Sequence, residues 1–284
     1  MREPSIRTSR LVIAAGLAAV IMVGGAGFFL GRETAPRETP AARPVVPAPP
    51  APAPQPPVER LLHRAELLAL VREASDAWST GDRLPDGVRR AAGQRFELVL
   101  PFGCNGPADP NARLPMQWSY DEERQTLRVS VIPVQWQAAD WGHDSTDGSR
   151  AEGFWVARPW SSGERCPARR TPSTPSGTEP ITLSGQSLAV AQFLPADAES
   201  RLTRNGRSLD VVRRIARGEV DPDRGFRVRI AGRVDRDAEP VRCVQPGGTD
   251  QRPICVLKVR MDEIAIENAA NDDILGRWPL ASGR

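Results

Sequence analysis

The sequence predicts a mainly β fold, an antiparallel sheet or two small sheets with one N-terminal amphipathic helix, preceded by a single transmembrane helix and a proline-rich stalk. Three observations predict it. Residues 11–30 are apolar without interruption, residues 35–57 hold ten prolines in 23 positions, and beyond Gly93 apolar and polar residues alternate with a period of two. The expected divisions are a cytoplasmic N-terminus over 1–10, the span over 11–30, a Pro/Ala-rich linker over 31–57 and an extracytoplasmic domain over 58–284.

Leu11 to Leu30 carry no charge, and twenty helical residues rise about 30 Å, the thickness of a bilayer's hydrocarbon core. A cleavable signal peptide has a shorter apolar region and a small-x-small site. This run ends instead in Phe28, Phe29 and Leu30, which favours an uncleaved signal anchor. Arg2, Arg7 and Arg10 before the span are balanced by Arg32, Arg37 and Arg43 after it. Local charge therefore leaves the orientation open, and the external placement rests on the cysteines and on the likeness to a signal sequence.

Ala35 to Pro57 cannot form helix or sheet, because proline fixes φ and lacks a backbone donor. As polyproline II the tract would reach about 70 Å and act as a semi-rigid spacer. A short inner segment, one span, a proline-rich stretch and a following domain together resemble energy-transducing envelope proteins of the TonB kind. The tract lacks that family's Glu-Pro and Lys-Pro repeats, and its carboxy-terminal motif is not found. The resemblance is therefore one of layout over the first 57 residues, and no activity is carried over from it.

Residues 58–80 give the clearest helical pattern, with Leu61, Ala65 and Leu68 on one line and Leu67, Val71, Ala74 and Trp78 on another. Pro57 and Gly81 punctuate it. It reads as a helix packed across the β domain or as a dimerisation helix above the stalk. Phe96, Leu98 and Leu100 then alternate as a strand, and 116–120 and 126–132 flank the polar turn 121–125 as a hairpin. Leu188, Val190 and Gln192 continue the alternation. Asn205–Gly206 is a strong hairpin turn, placing strands at 201–204 and 207–215. Phe226 to Val234 form another strand, and the alternation in 254–267 slips near Asp262–Glu263, which predicts a bulge. The polar segment 162–180 is a flexible loop or a soft boundary between β subdomains.

Charge and motifs exclude several functions. Residues 1–57 carry six Arg and three Glu, which leaves 32 basic and 32 acidic residues in the remainder. A nucleic-acid partner is rejected on that balance, since phosphate binding requires a basic excess. Lys258 is the single lysine beside 37 arginines. No GxSxG, GxGxxG, GxxxxGK or HExxH pattern occurs, and no cofactor or metal is expected. The acidic run 267–273 reads as a solvated turn, because it lacks the spacing of a calcium loop.

Four cysteines without a CxxC pair point to disulfides and so to an oxidising compartment. Cys243 and Cys255 flank a Pro-Gly-Gly loop and are expected to pair, leaving Cys104 with Cys166. Of the two histidines, His63 falls within the helix. His143, in Trp141-Gly142-His143-Asp144-Ser145, would centre a hydrolase with Asp144 only if the three polar side chains converged, which adjacent loop residues rarely do.

Five of the seven tryptophans fall between residues 118 and 160. Trp136, Trp141, Trp155 and Trp160, with Arg158, form the expected binding surface, since an aromatic face beside a guanidinium suits a partner protein or a sugar ring. The bland reading is that these rings fill a small β core. The expectation is a non-enzymatic, single-pass protein of the bacterial inner membrane, its domain in the periplasm binding another envelope protein. The alternatives are a peptidoglycan- or glycan-binding module and the hydrolase at His143 and Asp144.

Overall fold

The computed structural model describes residues 60–109, 114–142, 149–168, 187–203 and 209–280, all within one compact unit, Pro57–Arg284. The expected span and stalk lie outside the described residues. Among the described residues, no helix is long and apolar enough to cross a membrane.

Among the described residues, eleven strands follow two α-helices: α1 (Arg64–Thr80), α2 (Asp86–Arg90), β1 (Arg95–Phe102), β2 (Met116–Asp121), β3 (Thr126–Val131), β4 (Val134–Gln137), β5 (Arg150–Trp155), β6 (Leu188–Leu194), β7 (Leu209–Arg214), β8 (Phe226–Val234), β9 (Val241–Val244), β10 (Ile254–Asn268) and β11 (Ile274–Pro279). Eight of these strands form one sheet around β10, and β2-β3-β7 form a second. The first half of β10 lies between β9 and β6, and its second half between β8 and β11. Pairing with β8 begins at Val259, and its register shifts between Met261 and Glu263, where the sequence alternation slips. The bulge returns Ile264 and Ile266 to the buried face that Val259 and Met261 occupy.

The inner face of the large sheet carries Phe96, Leu98, Phe154, Val190, Leu257 and Ile230, all buried. Leu67 and Val71 of α1 and Leu127 and Val129 of β3 belong to the same continuous core. Trp118 of β2 meets Phe226 edge-on at 5.2 Å between ring centroids. Residues spaced three and four apart give α1 its buried stripe. The Glu66 carboxylate accepts from the His63 backbone N–H at its start, and Gly81 ends it at φ 74, a left-handed conformation that suits glycine.

Several expectations are corrected. The helix begins at Arg64, and Leu62 before it instead bridges to Phe96 beside the edge of β1. Trp78, assigned to the apolar stripe, is 42% exposed because it falls in the last turn. β7 pairs with β3, and Arg201–Thr203 form no strand, so a 201–215 hairpin is not formed. Leu202 is instead buried in the core. The turn at Asn205–Gly206 lies outside the described residues. β6 runs parallel to β10 within an otherwise antiparallel sheet. Strands on either side of 162–180 pair with one another in both sheets, so that segment does not divide them.

One carboxylate is wholly buried. Glu152 accepts from Gln192 Nε2 (2.7 Å), Ser200 Oγ (2.5 Å) and the Arg201 backbone N–H (2.9 Å). A buried charge persists only when its acceptor sites are filled. Here the donors tie residues 200–201 to the strand pair β5–β6.

Candidate functional site

The outer face of the large sheet differs between its halves. Across β1, β8 and the second half of β10, it is a charge ladder. Arg229 Nε reaches Glu267 at 2.6 Å and Arg229 Nη1 reaches Glu97 at 3.4 Å, while Arg227 Nη2 lies 3.2 Å from Glu267 and 2.5 Å from Asp272. The Glu267 hydrogen bond, against an opposing desolvation, raises the Arg229 pKa above its ordinary value. Each of these five charges has a partner of opposite sign, while further along the same strands Arg95 and Arg260 both stand opposite Arg233.

Across β4, β5, β6 and the first half of β10, the outer face is aromatic. Register sets Trp136 opposite Ala151 and Trp155 opposite Ala189, so each indole stands beside a small residue. Trp141 comes in from the turn after β4. The three rings meet edge-on or tilted, with centroids 5.3 Å apart for Trp136–Trp155, 5.6 Å for Trp136–Trp141 and 6.0 Å for Trp141–Trp155. Offset and edge contacts of this kind are the favoured aromatic geometries. Together they cover Ala151, Ala189, Ala191 and Val256 as a second, smaller core. Trp141 is 3% exposed, and its indole N–H has no hydrogen-bond partner among the described residues.

Trp160 is placed otherwise. It is 64% exposed and stacks on no other ring among the described residues. Its loop is nonetheless held from two directions. The side chain of Arg64, fully buried at the start of α1, donates to the carbonyls of Ala157 (2.7 Å), Arg158 (3.2 Å) and Ser161 (3.0 Å), and to Val99 of β1 (3.1 Å). Burial, and then the charge of Arg158, lowers the Arg64 pKa, with Glu164 opposing; a guanidinium remains charged regardless. Beyond the loop, Cys166 is joined to Cys104, just after β1. Arg158 lies at φ 52, a strained conformation for a side-chain-bearing residue, and its Nη2 donates to the Arg165 carbonyl at 3.1 Å.

Between this loop and α1 runs a groove of about 390 Å³. Leu68, Val71 and Leu188 are among its apolar lining, with Trp160 on the loop side and Pro253 and Cys255 leading into β10. The second disulfide, Cys243–Cys255, ties that last segment to β9. Arg72 and Arg252 also line the groove, and among the described residues no carboxylate does.

The expected aromatic surface is thus divided. Trp136, Trp141 and Trp155 close on themselves, Trp160 faces solvent above the groove, and Arg158 turns toward its own loop. Trp118 belongs to the main core, where its Nε1 donates to the Gly103 carbonyl at 3.2 Å. His143 and Asp144 lie outside the described residues. Among the described residues, no group of three or more His, Cys, Asp or Glu could hold a metal.

Arg64, Arg72 and Arg252 were not singled out by the sequence reading. One signal was available for Arg64: it falls three residues before Leu67 on the Leu67–Val71–Ala74 line, so an arginine sits on the buried stripe. Arg72 and Arg252 carry no such signal, because the groove joins segments far apart in sequence. No protein-family description matches the chain, and no curated protein or solved structure is significantly similar to it.

Proposed function

We propose that this chain is a membrane-anchored, non-enzymatic binding module of the bacterial envelope. In this reading residues 11–30 anchor it in the inner membrane and the proline-rich linker carries the β domain into the periplasm. There the domain docks a partner protein through Trp160 and the adjoining groove. One observation carries the reading: a large indole is kept in solvent on a loop pinned by a buried arginine and a disulfide. An indole left to relax would bury its apolar surface, at about 25 cal/mol per Å². A rigid exposed aromatic beside a pocket has the character of an interface hot spot, since little ordering entropy remains to be lost on binding. The disulfides accord with an oxidising compartment.

Site-specific photocrosslinking in the intact envelope tests this. A photoreactive residue in place of Ser162, beside Trp160, is expected to capture a discrete protein partner. The same residue in place of Ile132, an exposed position outside the groove, is expected to capture none. Capture at 162 should vanish with Trp160→Ala. Equal crosslinking from both sites, or none from 162, sinks the reading. The exposed ring with the Ser162 and Ser187 hydroxyls nearby also suits a sugar. Co-sedimentation with peptidoglycan that depends on Trp160 would favour that glycan reading over a protein partner. A phosphatase fusion after Arg284 that is inactive in cells would remove the periplasmic placement.

A further inference from the structure

The charge of the groove narrows the class of partner. Arg72 on α1 and Arg252 in the turn before β10 both line it, and both are exposed. Neither has an ion-pair or hydrogen-bond partner among the described residues. Some exposed arginines elsewhere find local carboxylates, as in Arg124–Asp121, Arg224–Asp221 and Arg277–Glu263, while others, such as Arg90, Arg128 and Arg213, form no such pair among the described residues. Among the described residues no carboxylate lines the groove to neutralise the pair, and Leu68, Val71, Leu188 and Pro253 line it together with the hydroxyls of Ser75, Ser162 and Ser187. A charge that lines a groove is less screened than one on open surface. Such a pair is complementary to an anion that also brings apolar atoms.

Length narrows it further. The α1 residues that line the groove run from Ala65 to Ser75, about 15 Å at the helical rise. That length accommodates about four or five residues of extended chain.

Building on the reading that the groove is a binding site, we infer that its occupant is a short extended segment of a partner protein carrying acidic side chains. The carboxylates of the segment meet Arg72 and Arg252, and an apolar or proline residue lies against Trp160. Arginine's planar fork matches a carboxylate with two parallel hydrogen bonds, which fixes orientation as well as charge.

Selection from a random ten-residue peptide library against the full chain in lipid nanodiscs tests the inference. Asp and Glu are expected to be enriched several-fold among binders. A selected peptide should bind at least tenfold more weakly to the Arg72→Gln/Arg252→Gln double variant, and the Lys/Lys double variant should recover part of that loss. Binders that depend on Trp160 but show no acidic bias would overturn this inference while leaving the binding module intact. Acidic binders indifferent to both arginine changes would also overturn it. No peptide selected above the Trp160→Ala background would remove the groove as a peptide site altogether.

Discussion

Trp136, Trp141 and Trp155 on the one hand, and Trp160 on the other, come from a single stretch of sequence and have opposite fates. The first three meet one another over a floor of alanines and form a small second core. Trp160 meets no ring among the described residues and stands over a groove, on a loop held by Arg64 and by Cys104–Cys166. The difference lies in what each loop or strand is tied to. β4 and β5 bring their indoles into register with small residues, so the rings bury one another. The Trp160 loop is tied through its backbone carbonyls, which fixes the chain and leaves the side chain outside. Aromatic content alone cannot separate these cases; the location of the backbone's hydrogen bonds does.

The largest effect should come from cutting the Trp160 loop free. In the chain-entropy view, a crosslink separated by 62 residues contributes about 4 kcal/mol and one separated by 12 about 3 kcal/mol. The Cys104→Ser/Cys166→Ser variant should therefore lose more stability than Cys243→Ser/Cys255→Ser in urea denaturation. It should also weaken ligand binding at the groove while leaving the Trp136–Trp141–Trp155 cluster intact by near-ultraviolet circular dichroism. An equal loss of the cluster signal would show that the two regions are one cooperative unit.

The next effect lies within the cluster. Trp141→Ala removes a buried indole and should cost about 3–5 kcal/mol. Trp141→Phe should cost much less, because the deleted N–H has no hydrogen-bond partner among the described residues and an unsatisfied buried donor itself costs about 1–3 kcal/mol. Trp160→Ala should stay within about 0.5 kcal/mol of the parent, as for an exposed site, and act on binding alone. Thermal or urea unfolding of the three variants places them in that order if the comparison holds.

Arg64→Ala should cost about 2–4 kcal/mol, since it leaves carbonyls of residues 99, 157, 158 and 161 without their donor. Limited proteolysis should then cut first in 157–162. Cleavage at the same site and rate as in the parent would mean that the disulfide alone holds the loop.

Legibility in the sequence followed the same division. Period-two alternation marked β1, β8 and the bulge in β10, because face burial is written residue by residue. It could not show that β6 runs parallel to β10, since alternation reports which face is buried and carries nothing about the neighbour's direction. The Asn205–Gly206 signal suggested a local hairpin, yet β7 pairs with β3, some 80 residues earlier for Ser130 and Asp210, whose side chains hydrogen-bond at 2.7 Å. For the site, sequence marked the aromatic stretch without distinguishing rings that pack together from the one that does not. Arg72 and Arg252 belong to segments brought together only by the fold, so their pairing had no local trace.

The smallest effect separates the two regions by pH. Asp237 forms an ion pair with the buried Lys258, whose ammonium also lies 5.5 Å from the Phe193 ring at the margin of the aromatic cluster. The hydrogen bond from Lys258, against an opposing desolvation, holds the Asp237 carboxyl below its ordinary value. A depressed carboxylate contributes stability that is present above its unfolded pKa of about 3.9 and is lost as pH falls through its folded value. Because Asp237 is 41% exposed, solvent screening should keep the loss below about 1 kcal/mol. The ties on the Trp160 loop are a disulfide and guanidinium bonds to carbonyls, and neither titrates in that range. Amide exchange compared at pH 5 and pH 3 should therefore show β9 and the first half of β10 loosening before residues 157–161 do. Substitution Asp237→Asn should remove this contribution to the pH dependence. Simultaneous loosening of both regions would mean that the cluster and the loop share one opening, and the contrast between them would be one of exposure alone.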